Sequence, residues 1–435
     1  MSKKIGIIAD DLTGSNDSGV QFAKKGFTST VVMDIEKKNA VSDAEVLVID
    51  TDSRAKSSER AYEAVVKAAS LLFEQGYSHV YKKVDSTLRG NIALELDALA
   101  SVYRPDVVVI APAFPKLNRT TVNGYHYVNG VLINETEFGR DPKTPVTECF
   151  IQKLLGAAIK EDVALVDVFI LRRSLEEVIT FIKKTFADGK KWYVCDAESE
   201  ADLEMITKAF ASINKRMIWA GSGGLVEYLP NALKLKPLSE QQYGEIKIEK
   251  TLVVSGSLSQ VTKKQIKSLR DLNEVCFIEI NPVDLVNHTL HVDASLFQAG
   301  ANAQAKQLVV YVDSSKENRD AAKEAGKKLA MNGNQVSEAI ATGLGKAASA
   351  ILDERHDINS LILTGGDTAK AVCSELGVSQ MSLYGEVEPG LPFGRITSRE
   401  RTYWAVTKAG GFGNEDSLVK AVNYMTGKVE QYESK

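Results

Sequence analysis

Short apolar runs, rich in β-branched residues, recur along this chain, and each is followed by a turn and then a helical pattern. In the first half they lie at 5–9, 30–33, 46–49, 107–110, 164–168, 192–195 and 217–220. In the second half they lie at 252–254, 275–280, 308–312, 361–363 and 404–406. Nearly continuous runs of this length are what strands buried on both faces of a parallel sheet require. Amphipathic stretches at 58–73, 175–186, 321–331 and 416–424 stand between them. The alternation predicts α/β layers with right-handed crossovers.

At 435 residues the chain is long enough for two domains. The boundary is expected at 230–250, where Pro230 and Pro237 precede a polar stretch. This gives a first domain over 1–230, a linker about 231–249 and a second domain over 250–435. The expected fold class is two three-layer α/β domains with mostly parallel sheets and a cleft between them. The 53 Lys and Arg against 57 Asp and Glu leave a net charge of −4, which argues against a nucleic-acid partner. No apolar run is long enough to span a bilayer or serve as a signal peptide, so no membrane association and a cytoplasmic location are expected. The four cysteines, at 149, 195, 276 and 373, form no C-x-x-C pair, which fits a reducing compartment.

In open α/β sheets ligands bind outside the carboxyl ends of the strands, so the turns after the apolar runs are the first suspects. In the second half these are Ser255-Gly256-Ser257, with Ser259 before a helix near Gln260; Thr364-Gly365-Gly366-Asp367-Thr368; and Lys408-Ala409-Gly410-Gly411-Phe412-Gly413. Glycine lets backbone N–H groups approach an anion, and a following helix N-terminus adds partial positive charge. A single such turn is ordinarily only a tight connection. Three in one domain point to a phosphate cradle, to which Lys408 is expected to add a charge. Neither G-x-x-x-x-G-K-[ST] nor G-x-G-x-x-G occurs, which argues against an NAD-linked dehydrogenase.

The first half carries acids, cations and hydroxyls instead. Asp10-Asp11 follow the first run directly, with a helix expected through 20–24 and capped by Asn16 or Asp17. Two carboxylates there can accept hydrogen bonds from substrate hydroxyls, and one can act as general base. Thr51-Asp52-Ser53-Arg54 and Lys82-Lys83-Val84-Asp85-Ser86-Thr87-Leu88-Arg89 follow further runs. An Arg can grip a carboxylate with two parallel hydrogen bonds, as a hydroxylated acid would require. The plainer alternative is a capped helix start with a surface ion pair. The stretch from Ala113 to Thr120 adds Arg119 and Asn118 to the same edge, and Gly221-Ser222-Gly223-Gly224 is a further glycine turn. His288 and His291 with Asp293 make only a weak metal pattern.

Taken in order, IADDLTGSNDSGVQFA, TDSRA, KKVDSTLRGNIALELDAL and APAFPKLNRTTVNGYHYVNG resemble the sugar-acid-binding half of the four-carbon acid sugar kinases. VVSGSLSQVT, LTGGDTA, GEVEPGLPFG and TKAGGFG resemble their nucleotide-binding half. The resemblance implies phosphorylation of the 4-hydroxyl of D-threonate or D-erythronate by ATP with Mg²⁺. The alternatives are 3-oxo-tetronate as acceptor, or a non-catalytic sugar-acid and nucleotide sensor. It implies an acid-sugar site of Asp10, Asp11, Arg54, Lys83, Val84, Asp85, Ser86 and Arg89. Asp11 or Asp85 would be the base, and Arg54 or Arg89 would bind the substrate carboxylate. It implies an ATP site of Ser257, Ser259, Gly365, Gly366, Asp367, Thr368 and Gly410, with Asp367 a possible Mg²⁺ ligand. A homodimer is the default assembly. Two departures stand out: Ala409 and Gly411 where the family often has Ser and Asn, and Phe393 where it often has Trp.

Overall fold

The computed structural model describes residues 4–36, 43–141, 143–238, 247–257, 259–290, 305–398 and 401–427. The chain divides into two units, Met1–Glu240 and Gln241–Lys435. Helix Leu229–Ala232 and buried Leu235 carry the first unit past residue 230, and the Leu238 N–H donates to Glu45 at 2.7 Å.

The strands of the first unit are β1 (Ile5–Ala9), β2 (Ser29–Val32), β3 (Val46–Asp50), β4 (His79–Lys83), β5 (Val107–Ala111), β6 (Arg119–Val122), β7 (Tyr125–Val128), β8 (Val131–Leu132), β9 (Val163–Val166), β10 (Trp192–Cys195) and β11 (Met217–Gly221). The main sheet runs β2-β3-β1-β4-β11-β5-β10-β9, and every pairing in it is parallel. Its strands alternate side chains between two buried faces. On one face Ile8, Val80, Val108, Ile110 and Ile218 pack with Leu72 and Leu96, from helices Ser58–Glu74 and Ile92–Tyr103. On the other, Tyr193 and Trp219 meet the edge of Phe210, from helix Glu200–Ala211. Burial on both faces is why these strands read as continuous apolar runs. The chain leaves β1 toward β2 and leaves β4 toward β5, in opposite directions, and β1 and β4 are neighbours. That reversal makes a crevice at their carboxyl ends, the usual place for a ligand in such a sheet.

The small antiparallel sheet β6-β7-β8 was not expected from sequence. Its half-exposed strands lack the apolar continuity that marked the others.

The second unit contains β12 (Lys250–Ser255), β13 (Val275–Glu279), β14 (Gln307–Tyr311), β15 (Ile358–Thr364), β16 (Gln380–Glu386), β17 (Pro392–Thr397) and β18 (Thr402–Lys408). Their order is β13-β14-β12-β15-β18-β17-β16. The pairings from β13 to β18 are parallel, whereas β17 is antiparallel to both β18 and β16. Here the crossovers reverse between neighbours β12 and β15. The sequence marked only 404–406 in the antiparallel part, because β16 and β17 bury alternate residues. Phe393 lies at its centre, stacked on Trp404 at 5.2 Å and 8°. It therefore serves the core.

Several helix starts differ from expectation. The first helix spans Leu12–Ala23, and Asp11 is its cap, not Asn16 or Asp17. Extended Asp11 (φ −150°) accepts the Gly14 N–H at 2.9 Å, which starts the helix at once. The helix expected at 321–331 is Lys316–Lys328, capped by Ser315 and followed by Ala330 in the left-handed region.

Candidate active site

The loops after β1, β3 and β4 bring the charged residues of the first unit together. Arg54 donates from Nε to Asp10 Oδ2 at 2.8 Å and from Nη2 to Asp10 Oδ1 at 2.9 Å. The same Nη2 lies 2.8 Å from Asp11 Oδ1. Glycine permits this crowding at two points. A Cβ on Gly14 would fall 2.7 Å from Asp11 Oδ1 and 2.9 Å from Lys83 Nζ. Gly90, at φ +98°, lies against Arg54 and Asp10. Lys83 itself donates to the Val84 carbonyl at 2.9 Å. Beneath it, fully buried Lys82 pairs with Glu95 at 2.8 Å, and Ser53 closes on the other oxygen of Glu95.

Three carboxyls in this cluster differ in proton affinity. Burial raises that of Asp10, but Arg54, Lys82 and Lys83 outweigh it and hold the group below the usual range. Burial likewise opposes charge on Asp85, yet Arg54, Arg89 and the Thr87 hydroxyl hold it far below that range. For Asp11, burial and the neighbouring Asp10 prevail over Arg54, and its carboxyl is pushed up. Asp11 is also the more open, with a side chain 27% accessible against 3% for Asp10.

Ser86 is held from the small antiparallel sheet. His126 on β7 is fully buried, with Nε2 2.9 Å from the Ser86 carbonyl and Nδ1 3.0 Å from Thr121 Oγ1. A carbonyl only accepts, so Nε2 carries the hydrogen and Nδ1 receives the threonine's. Burial pushes the imidazole down to about 4, against the hydrogen bond to Ser86, so the ring is neutral. Arg119, at the start of β6, donates from Nη1 to Ser86 Oγ at 2.6 Å. Arg89 donates from Nε to Asp85 Oδ2 at 2.6 Å and lies 3.4 Å from Asp141. His126 and Asp141 were not foreseen.

In the second unit the three glycine loops meet at Ser257. A Cβ on Gly410 would collide with Ser257 Oγ, and one on Gly365 would lie 3.8 Å from Ser257 Cβ. Gly256 approaches Thr368 so closely that a Cβ would fall 2.6 Å from its Oγ1. Ser257 Oγ accepts the Ser259 N–H at 3.2 Å, and Ser259 caps helix Gln260–Leu269. The helix after the second glycine loop begins at Gly366, so Gly366, Asp367 and Thr368 form its first turn. Its cap, Gly365 (φ +98°), offers no side chain to the first N–H groups. Paired in register at the ends of β12 and β15, the Ser255 and Thr364 hydroxyls are buried without a hydrogen-bond partner. A cavity of about 450 Å³ opens from Ser257 along Lys263, Arg270, Tyr311 and Asp313. That volume is in the range of small-molecule sites.

Two expectations are corrected here. The Lys408 ammonium does not face an anion site. It is turned into its own loop, 2.7 Å from the Ala409, 3.3 Å from the Gly410 and 3.1 Å from the Phe412 carbonyl. Burial lowers it to about 8, against Glu388, and it braces the loop from within. The glycine turn at Gly221–Gly224 is structural: a Cβ on Gly221 would fall 2.5 Å from the Ala111 carbonyl, and Ser222 donates to the Ala113 carbonyl at 2.8 Å.

Among the described residues no three His, Cys, Asp or Glu side chains gather as a metal site. His291 and Asp293 lie outside the described residues. Exposed Asp367, in an uncapped first helical turn, suits Mg²⁺ held mostly by a nucleotide's own phosphates, because this ion keeps few protein ligands. No helix among the described residues is long and apolar enough to cross a membrane.

A family model described as a sugar-binding N-terminal domain matches residues 5–229, and one described as a nucleotide-binding C-terminal domain matches residues 252–418. The chain is 33% identical over 430 residues to a D-threonate kinase of Salmonella typhimurium, covering 97% of this chain and 98% of that protein. It is 29% identical over 432 residues to a D-erythronate kinase of Heliobacterium modesticaldum, covering 97% of each. A crystal structure of a Haemophilus influenzae protein, from a family catalogued as a domain of unknown function, superposes with a TM-score of 0.77 at 26% identity, over 97% of this chain and 100% of that one. The chain belongs to the four-carbon acid sugar kinase family.

Proposed function

We propose that this protein phosphorylates the 4-hydroxyl of a four-carbon sugar acid, D-threonate or D-erythronate, with ATP as donor. The observation that carries the reading is the meeting of three glycine loops at Ser257. A sensor of sugar acids alone has no need of such a cradle. The acceptor binds in the first unit, among Asp10, Asp11, Arg54, Lys83, Val84, Asp85, Ser86 and Arg89. The donor's phosphates bind in the second, on Ser257, Ser259, Gly365, Gly366, Asp367, Thr368 and Gly410. The nucleoside takes the cavity beside Ser257. The sugar-acid-binding domain is the first unit, which runs past residue 230, and the nucleotide-binding domain is the second.

Phosphoryl transfer is mostly positioning and neutralisation of charge. Helix Gly366–Glu375 begins at Gly365 with no side-chain cap, and such an N-terminus suits the donor's phosphates. Mg²⁺, when bound, would neutralise charge on those phosphates, with Asp367 as its protein contact. The two candidate bases are unequal. Asp85 is locked to Arg89 with a depressed proton affinity, and so accepts a proton poorly. Asp11 is raised and partly open, and it takes the proton of the 4-hydroxyl. Asp10 and Arg54 hold it in place.

The test is ADP release with Mg²⁺ and ATP against D-threonate, D-erythronate and 3-oxo-tetronate in parallel. Strong turnover with one of the first two is expected. ATP binding with no turnover on any of the three would leave the sensor reading, and preference for 3-oxo-tetronate would reassign the acceptor.

A further inference from the structure

The sequence offers Arg54 and Arg89 as grips for the substrate carboxylate, but both are already matched within the chain. Arg54 holds Asp10 with two nitrogens and reaches Asp11 with one of them. Arg89 sits on Asp85 and Asp141. Lys82 is paired with Glu95, and Lys83 is folded back on the Val84 carbonyl. Arg119 differs. Among the described residues no carboxylate lies within ion-pair distance of it, and its one side-chain hydrogen bond is from Nη1 to Ser86 Oγ. Its Nε is buried and has no hydrogen-bond partner. The residue is half-buried, and burial works against its charge. A half-buried guanidinium with an orphaned Nε is costly unless something accepts from it. The matching acceptor is a planar anion that takes two parallel N–H donors, which is a carboxylate. Arg119 also stands beside the acceptor residues, since it touches Ser86 and its charge is felt by Asp85 and Arg89.

We infer that Arg119 binds the carboxylate of the sugar acid and sets the requirement for an acid rather than a neutral polyol. The inference rests on the acceptor site proposed above. Nη1 keeps Ser86 in place while Nε and its neighbour face the ligand. The Ser86 hydroxyl, accepting from Arg119, keeps its own hydrogen for a substrate oxygen. His126 fixes the Ser86 backbone from the same small sheet, so one β6–β7 hairpin supplies both the grip and its alignment.

The experiment compares wild type with Arg119→Gln and Arg119→Lys on two acceptors, D-threonate and D-threitol, the latter carrying CH₂OH in place of the carboxylate. For Arg119→Gln, kcat/KM on D-threonate should fall about 100-fold, as expected for loss of a charge-assisted pair, while KM for ATP stays unchanged. On D-threitol, poor for wild type, the same variant should lose no more than about threefold. Arg119→Lys, which keeps the charge without the fork, should fall between them, and it carries the test if the Gln variant does not fold. Equal losses on both acceptors would overturn the inference and leave Arg119 a mere support for Ser86. Thermal stabilisation by D-threonate without ATP separates this inference from the kinase reading. Wild-type stabilisation that Arg119→Gln abolishes upholds the carboxylate grip even if no phosphate is transferred. A wild type that neither binds nor turns over any of the acids overturns both.

Discussion

Asp11 caps the first helix and is also the base we propose, and a single substitution separates the two roles. Asn caps a helix about as well as Asp, so Asp11→Asn keeps the Gly14 contact while removing the base. Turnover should fall by about 10²–10⁴, with D-threonate binding retained and the thermal midpoint nearly unchanged. Near-normal turnover would eliminate Asp11 as base. His126 gives a pH prediction of definite sign. Its folded proton affinity is pushed down to about 4, whereas an unfolded histidine titrates near 6.5. The unfolded chain therefore binds the proton first as pH falls. Stability present at pH 7 is lost between about 6.5 and 4, by on the order of 3 kcal/mol. His126→Gln, which can donate to Ser86 and accept from Thr121, should lack this component. Urea unfolding at pH 7.5 and 4.5 checks it: an equal fall in both proteins would sink the idea. The sequence shows Asp10 and Asp11 because they directly follow an apolar run, and Arg54 because it comes a few residues after another. It does not show that Arg119 and His126 reach Ser86, because those contacts span 33 and 40 residues and depend on how a hairpin folds over.

At the scale of elements, the loop from Lys408 to Gly413 is braced inside by a lysine and packed outside against Ser257. Gly410→Ala places a methyl group where Ser257 Oγ stands and forces the two loops apart. KM for ATP should rise about tenfold or more while KM for the sugar acid is unchanged, read from initial rates with each substrate varied in turn. A rise in the sugar-acid KM alone would move the nucleotide site elsewhere. The parallel strands other than β4 were legible because burial on both faces leaves an uninterrupted apolar run, whereas β4 carries Lys82 and Lys83. The antiparallel strands β16 and β17 were not, since strands that bury alternate residues resemble loops in composition. Helix starts were the least legible feature. Asp11 and Gly365 end strand-like segments and begin helices in the same step, and a reader of sequence allots such residues to a loop.

At the scale of the molecule, two separate cores divide the chain, one under the parallel sheet of Met1–Glu240 and one in Gln241–Lys435. Two cores do not oblige the chain to melt in one step. Scanning calorimetry should resolve two components, with D-threonate raising one and a non-hydrolysable ATP analogue the other. Each should gain about 2.7 kcal/mol at a hundredfold excess over Kd. Either ligand shifting only the component assigned to the other would contradict the allotment of sites. The β6–β8 sheet carries one more consequence. It lies outside the parallel sheet, and its exposed positions, Tyr125 and Val131 among them, tolerate change that its buried Thr121 and His126 do not. Selectivity can thus drift independently of catalytic power. A mutant library confined to the exposed positions of residues 119–132 should yield enzymes with altered acceptor preference and unchanged KM for ATP, read from initial rates with each substrate varied in turn.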